Sequence, residues 1–367
     1  MNEDKATRYR RAQRTTFWSR AALFAVAMIV LLPGGGAVFV RELLVRLTGL
    51  SATSPLTAVL LALSLAAIGE ILAVPITWYG AVLERRYGSA ANSSKSASFD
   101  RVKNAAVTAA LIAGGTLVIY FNLSRWPQWW WAITAAMGIG GRALIGLLAN
   151  TSAEAIFKCK PLGRSELRNR LEALARRAGV HSFAVFEWTP EGGRGRANAR
   201  LVGAGGACSV LLSSNLVTDF TPDELEVIVA HELGHHVHRD IRSTSLLRAG
   251  LTFLIGGGAA AALNALWRPL GLVAPNDAAG LPILLLAAAV ATMVTQPLVN
   301  VESRRKEFRA DRFALRLTGR PDVLVSVIRR LAERHLAEAR PSLATVWMFH
   351  SHPTVDQRIH AVRALHV

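Results

Sequence analysis

Charged side chains are scarce in this chain of 367 residues: they make up 18% of it, whereas hydrophobic residues make up 51%. Soluble globular domains carry about 25% charged residues, so the composition argues against an ordinary soluble protein. Buried core helices of a large soluble protein would also be shorter and more amphipathic than the apolar runs seen here. Each run is close to the roughly 20 residues that cross a hydrocarbon core, which predicts about six transmembrane helices. They lie near 21–40, 56–83, 104–121, 129–149, 246–267 and 281–300.

Two further absences narrow the class of protein. Cys159 and Cys208 are the only cysteines, so no disulfide framework is implied. The first apolar run is not followed by a small-residue cleavage site and a soluble domain. We therefore expect it to remain as a helix and not to be a signal peptide. Residues 33–36 (PGGG) interrupt this run, and its end is therefore the least well defined of the six.

Acidic residues are also few, 25 against 42 lysines and arginines, which leaves a net charge of +17. By the positive-inside rule, the placement of the basic residues predicts a multi-pass protein of the cell inner or plasma membrane. Both termini and the polar blocks 150–245 and 301–367 would face the cytoplasm. The basic clusters precede the first span (Lys5, Arg8, Arg10, Arg11, Arg14, Arg20) and separate the second from the third (Arg85, Arg86, Lys95, Arg101, Lys103). No nucleic-acid-binding motif accompanies this charge, so we expect a lipid bilayer and no nucleic acid as partner.

The polar blocks have the pattern of a small α+β domain. PLGRSELRNRLEALARRAGV predicts an amphipathic helix that stops at Gly179, and HSFAVFEW, ANARLVG and CSVLLSSNLV predict strands of one small sheet. Thr221 is the expected N-cap of a helix that runs to about His238. ESRRKEFRADRFALRLTG predicts a later helix ended by Gly319, and the last stretch is helical with a break at SHPTVDQ.

The helix that follows Thr221 contains HELGH, in which His231 and His235 share a face and can supply two imidazole nitrogens to one Zn²⁺. Glu232 lies beside them, where it can take a proton from a metal-bound water. His236 and His238 fall on other faces, and we expect them to be surface residues or to lie behind the ligands.

A catalytic zinc needs a third protein ligand, and the later helix offers three acids. Glu307 and Asp311 are four residues apart and share a face, whereas Glu302 falls on a different face. Glu307 could bind the metal while Asp311 reaches a ring N–H of a ligand histidine. Spacing alone leaves an ordinary solvated charge among the neighbouring arginines as the alternative for either glutamate.

HELGH, EFRAD after two hydrophobic spans, and SHPTVDQR together resemble the M48 metallopeptidases, especially the Ste24 or CAAX prenyl protease type. ERRYG at 84–88 and NARLVG at 198–203 are similar to the family's loop after the second helix and to its edge strand. The resemblance implies one Zn²⁺ per chain with Glu307 as the third ligand and Asp311 behind a ligand histidine. Arg200 departs from the family pattern, which often has an aromatic residue there.

The resemblance also gives roles to residues that spacing could not assign. It implies that His352 binds the oxyanion during catalysis, that Arg358 is the basic residue that follows it at the substrate site, and that Asn198 and Ala199 hold the substrate backbone by strand addition. Glu70 and Arg142 fall inside predicted spans. Such ionisable groups either line a cavity or pair with each other.

We therefore predict a multi-span α-helical integral membrane protein with an α+β, gluzincin-like zincin domain split by a transmembrane hairpin. Residues 1–157 form a membrane region with about four spans, 158–245 and 301–367 form the two parts of the protease domain, and 246–300 form the hairpin.

The expected activity is hydrolysis of membrane-associated or lipidated, CAAX-like polypeptides by a zinc metalloendopeptidase. An HtpX-like quality-control protease for damaged membrane proteins is the first alternative. A non-catalytic zinc-binding scaffold is the second, but neither cysteine has the spacing to close a structural zinc site. A transporter would need inverted repeats or paired broken helices, which the sequence lacks.

Overall fold

The computed structural model describes residues 2–87, 96–151, 159–189, 198–204, 207–338 and 340–365. Within these residues, six helices are long and apolar enough to cross a membrane. Four come from the first part of the chain: α1 (Asn2–Leu31), α3 (Pro55–Arg86), α4 (Ser96–Arg125) and α5 (Trp130–Thr151), with the shorter α2 (Gly36–Thr48) between the first two. The other two are α9 (Asp240–Leu266) and α10 (Leu281–Thr318). The prediction of about six spans is confirmed.

The first predicted span, 21–40, is wrong in its extent. Helix α1 ends at Leu31, and a turn leads into a separate helix α2 that begins at Gly36. Gly35 has φ of 70°, in the left-handed region that favours glycine. A proline followed by this turn cannot continue an α-helix, so the apolar run is divided between two helices.

The chain forms two compact units. The apolar unit comprises Ala12–Gly141 and Arg248–Thr295. Its core includes Leu61, Tyr120, Trp130 and Leu263. The buried side chain of Asp277 accepts hydrogen bonds from the Arg41 guanidinium and from backbone N–H groups, so this buried charge is paired.

The polar unit comprises Met1–Arg11, Arg142–Leu247 and Gln296–Val367. Its sheet has the order β1-β2-β4-β3, with β1 (Lys160–Pro161), β2 (Ser182–Trp188), β3 (Ala199–Ala204) and β4 (Ala207–Ser213). Strands β2 and β4 are parallel and the other pairs are antiparallel. The three predicted strands are found, but the third ends earlier than expected because Ser214–Asp219 is helical. The predicted turn at 191–196 and the glycines 205–206 lie outside the described residues.

Helices of the polar unit pack against this sheet. They begin with α6 (Ser165–Arg177), α7 (Ser214–Asp219) and α8 (Pro222–Val237). Leucines spaced along α6 and α8 pack with Val185 and Val210 of the sheet in one core, as their helical periodicity predicts. Gly179 follows α6 with φ of 83°, a backbone conformation that stops a helix and favours glycine.

The last helices complete the unit. The apolar run from 281 and the helix that carries EFRAD form one continuous helix, α10, which ends before Gly319. This helix is followed by α11 (Pro321–Arg334), α12 (Leu343–Phe349) and α13 (Val355–Ala364). The predicted break before the last helix is found at residues 350–354.

Candidate metal centre

Helix α8 presents the two motif histidines on one face because its opposite face is fixed in the core. Thr221 and Glu224 form a capping box: the Thr221 hydroxyl accepts from the Glu224 N–H, and the Glu224 carboxylate accepts from the Thr221 N–H. This pairing satisfies two of the unpaired donors at the helix start. Leu225, Val229 and Leu233 are fully buried, so the rotation of the helix about its axis is set by packing.

Three side chains converge beside this face. The Nε2 atoms of His231 and His235 each lie 3.6 Å from a carboxylate oxygen of Glu307 in α10. Each of the three residues offers one donor atom within 4.8 Å of the others. Bond lengths of about 2.0–2.2 Å to a tetrahedral zinc place two donors about 3.4 Å apart, so this cluster fits such an ion. Glu302 is not part of the cluster; its carboxylate lies 3.3 Å from the Lys306 ammonium.

Gly234 lets α8 and α10 approach closely enough for this convergence. A Cβ atom at this position would lie 3.1 Å from Ala310 Cα and 3.2 Å from Phe313 Cβ. Normal carbon–carbon contacts are about 3.5–4.0 Å. A side chain at position 234, between the two histidines, would therefore crowd the helix that carries Glu307.

The Nδ1 atom of each histidine contacts a different carboxylate. His231 Nδ1 lies 2.9 Å from Asp311 Oδ1, and His235 Nδ1 lies 2.8 Å from Asp240 Oδ2. Asp311 in turn accepts two hydrogen bonds from the Arg358 guanidinium, of 2.8 and 2.6 Å. With Nδ1 bonded in this way, each ring is held with Nε2 turned toward Glu307 and available to a metal.

The electrostatics of the site favour positive charge. Burial alone lowers the pKa of His231, but its hydrogen bond to Asp311 and the nearby Glu307 carboxylate outweigh burial and raise the pKa to about 10. Burial raises the pKa of Glu232 above its usual range, although the adjacent histidines oppose this. A group of acids that stabilises a protonated imidazole also stabilises a metal cation at the same place.

His352 reaches the cluster from the loop after α12. Its Nδ1 lies 3.1 Å from Glu307 Oε2, and its side chain is 67% exposed. Two residues of α10 bind the end of α12 and the start of this loop: Asn300 Nδ2 donates to the carbonyls of Trp347 and Met348, and Arg304 Nη1 donates to those of Val346 and His350. The sequence did not identify either residue, because no local sequence pattern marks a polar side chain that binds backbone carbonyls of another element.

Asn198 and Ala199 lie where β3 begins, on the outer strand of the described sheet. The N–H of Asn198 donates to the Ser213 hydroxyl, and its carbonyl accepts from the Ser213 N–H. Because antiparallel partners alternate, the N–H and C=O of Ala199 point away from β4. On that side the described residues place no further strand.

The other two histidines of the motif helix lie apart from the cluster of donors. The ring of His238 packs edge-on against Phe313, and its Nδ1 lies 2.6 Å from the Gly234 carbonyl. His236 is half-buried. Neither belongs to the group of side chains that could hold a metal.

Comparison with known proteins decides the family. Residues 161–366 match the model of peptidase family M48, and residues 2–152 match that of the CAAX prenyl protease N-terminal domain, described as five membrane helices. The chain belongs to peptidase family M48. The fold class predicted from the sequence is confirmed, and the chain is an integral membrane metalloprotease that acts on polypeptides.

Individual relatives are distant in sequence. An uncharacterized metalloprotease, YhfN of Bacillus subtilis, is 22% identical over 300 residues, which cover 80% of this chain and 70% of YhfN. A protease HtpX homolog of Trichormus variabilis is 27% identical over 255 residues, 62% of this chain and 86% of the homolog. The crystal structure of S. mikatae Ste24p superposes with a TM-score of 0.79 at 20% identity, covering 98% of this chain and 88% of that one. At this identity the match shows the Ste24p fold.

Proposed function

We propose that the protein is a zinc-dependent endopeptidase that cuts membrane-associated or lipidated polypeptides at the cytoplasmic side of the membrane. The observation that carries this proposal is the convergence of the Nε2 atoms of His231 and His235 with the Glu307 carboxylate. The Glu232 carboxyl interacts electrostatically with all three. These three side chains would hold one zinc ion per chain. A zinc bound there supplies Lewis acidity, which lowers the pKa of water and polarises the scissile carbonyl.

Glu232 is the proposed general base. Its carboxylate would take a proton from the attacking water and pass it to the leaving amine. Burial raises the pKa of this carboxyl above its usual range, which makes the carboxylate a stronger base toward the water proton.

His352 is proposed to stabilise the oxyanion that develops on the oxygen of the scissile carbonyl. Its side chain is largely exposed and adjacent to Glu307, so an N–H of its ring can turn toward a substrate without unpacking the core. Removal of one such donor costs about 10²–10³-fold in turnover in comparable sites.

The substrate is proposed to add as a strand along β3, with its backbone paired to Ala199 and with Asn198 beside it. The outward N–H and C=O of Ala199 support this mode of binding.

Arg358 is proposed to contact the substrate, as the family resemblance implies. Its Nε and Nη2 atoms bind Asp311, which itself holds His231. The Nη1 atom would make the contact with the substrate.

The topology is part of the same proposal. The basic residues in the N-terminal part of α1, at the end of α3 and near the start of α4 support a cytoplasmic position for both termini and for the protease domain, formed by 158–245 and 301–367. Residues 1–157 and the hairpin 246–300 would form the membrane part.

A second substrate class follows from the relatives named as HtpX homologs. A protease that removes damaged membrane proteins would need no lipid on its substrate. The chemistry at the metal centre is the same in both cases, and only substrate preference separates them.

The test uses the full chain purified in detergent, as wild type and as Glu232→Gln, each assayed for bound zinc. Both are incubated with a farnesylated CAAX peptide, with the same peptide unlipidated, and with an unfolded protein. We expect cleavage by the wild type only, with loss of about 10²–10⁴-fold in Glu232→Gln. Preference for the farnesylated peptide supports the first substrate class, and equal cleavage of the unfolded protein supports the second. A zinc-loaded wild type that cuts none of them would contradict the proposal.

A further inference from the structure

His235 has a carboxylate partner that lies outside the HELGH and EFRAD motifs. Asp240 Oδ2 lies 2.8 Å from His235 Nδ1, and the Asp240 side chain is almost completely buried. The second oxygen, Oδ1, accepts from the Arg309 guanidinium. A buried carboxylate is stable only when its charge is paired, and here an imidazole and a guanidinium divide its two oxygens between them.

The same arrangement surrounds the other histidine. His231 is held by Asp311, and Asp311 is held by Arg358. Each candidate ligand histidine therefore has its own carboxylate, and each of these two carboxylates has its own arginine. The two carboxylates come from different helices, because Asp240 begins α9 whereas Asp311 belongs to α10.

The backbone brings Asp240 to this place through a left-handed residue. Arg239 has φ of 55°, an uncommon conformation for a residue with a side chain. It lies between the end of α8 at Val237 and the start of α9 at Asp240. Arg309 lies two residues after Glu307 in α10, so one helix carries both the acid of the metal cluster and the arginine that holds Asp240.

We propose that Asp240, held by Arg309, is a positioning residue for His235. Its carboxylate accepts the Nδ1–H, which selects the tautomer with a free Nε2 and holds the ring toward Glu307. This inference rests on the proposed zinc site. The negative charge of Asp240 also makes the imidazole a stronger metal ligand.

The test measures zinc binding by the full chain in detergent, by competition with a chelator, so that its result does not depend on activity. The variants are Asp240→Asn, Asp240→Ala and Arg309→Gln. Loss of a carboxylate behind a ligand histidine weakens metal binding by about 10–100-fold. We expect Asp240→Ala to show the largest loss and Asp240→Asn an intermediate one, because asparagine keeps an acceptor without the charge.

Arg309 should act only through Asp240. The double variant of Asp240→Ala and Arg309→Gln is therefore expected to bind zinc as Asp240→Ala does, with no added loss. Asp322→Ala is the matched control for an acid in the first turn of a helix, and Arg305→Gln is the control for an exposed arginine of α10. Both controls should keep the wild-type affinity.

A second measurement separates positioning from folding. Co²⁺ is bound in place of zinc and its visible absorption is recorded, while unfolding temperatures are compared for the metal-free proteins. We expect a changed spectrum in Asp240→Asn at an unfolding temperature close to that of the wild type. If both Asp240 variants kept the wild-type zinc affinity and Co²⁺ spectrum, this inference would be wrong, whereas the proposed zinc site would still stand. A wild type that binds no zinc would instead overturn the proposed function.

Discussion

The contact at Gly234 leads to a prediction about how closely two helices must approach for the metal centre to form. In Gly234→Ala, the new Cβ would lie 3.1 Å from Ala310 Cα and 3.2 Å from Phe313 Cβ. The helix α10 must therefore move by about 0.4 Å or more to restore a normal contact of about 3.5 Å. Glu307 lies three residues before Ala310 in the same helix and moves with it.

The effect on stability and the effect on activity should differ in size. Overpacking costs about 1–3 kcal/mol, whereas replacing a helical glycine by alanine gains about 1 kcal/mol. The free energy of unfolding should thus fall by no more than about 2 kcal/mol. Activity depends more steeply on position, since a misplacement of about 1 Å can cost 10²-fold. We expect kcat/KM to fall about tenfold or more, together with a weaker zinc affinity.

The assay compares peptide cleavage, zinc affinity and thermal unfolding of the full chain in detergent. Gly250→Ala is the matched control, because a Cβ at Gly250 meets no atom within 4 Å. This control should leave cleavage and zinc binding unchanged. If Gly234→Ala also cleaves and binds zinc like the wild type, close packing at this glycine does not position Glu307.

Three further predictions follow from the structure. Glu307→Gln should weaken zinc binding by more than about 100-fold, beyond the loss from a residue behind a ligand; a wild-type zinc content after chelator challenge would contradict its role as ligand. Asn300→Ala removes two hydrogen bonds to the last turn of α12, which leads into the loop of His352, so kcat should fall about tenfold at unchanged zinc content; unchanged kcat would show that His352 is positioned without these bonds. Burial raises the pKa of Cys208 to about 11, so its thiol should stay unlabelled by iodoacetamide at pH 8, as judged by mass spectrometry; rapid labelling would show that the strand opens.

The features that the sequence alone determined are those that depend on one element at a time. Apolar runs of sufficient length specified the spans, because the bilayer fixes the number of residues needed to cross it. The spacing of His231 and His235 placed both on one face of a helix whose start was set by Thr221. The same spacing placed Glu307 and Asp311 together. Only the resemblance to a family connected these two helices.

The tertiary structure decided which elements meet. The spacing within α10 could not show that Arg309 reaches Asp240, nor that Asn300 binds the end of α12 before His352, because such contacts join residues far apart in the chain. Asp240 is close to His235 in sequence, yet it lies beyond the end of α8, and the left-handed Arg239 brings it back. Periodicity specifies the faces of a helix, whereas the distance between two helices depends on the side chains that pack between them. Here that distance is small because position 234 is a glycine.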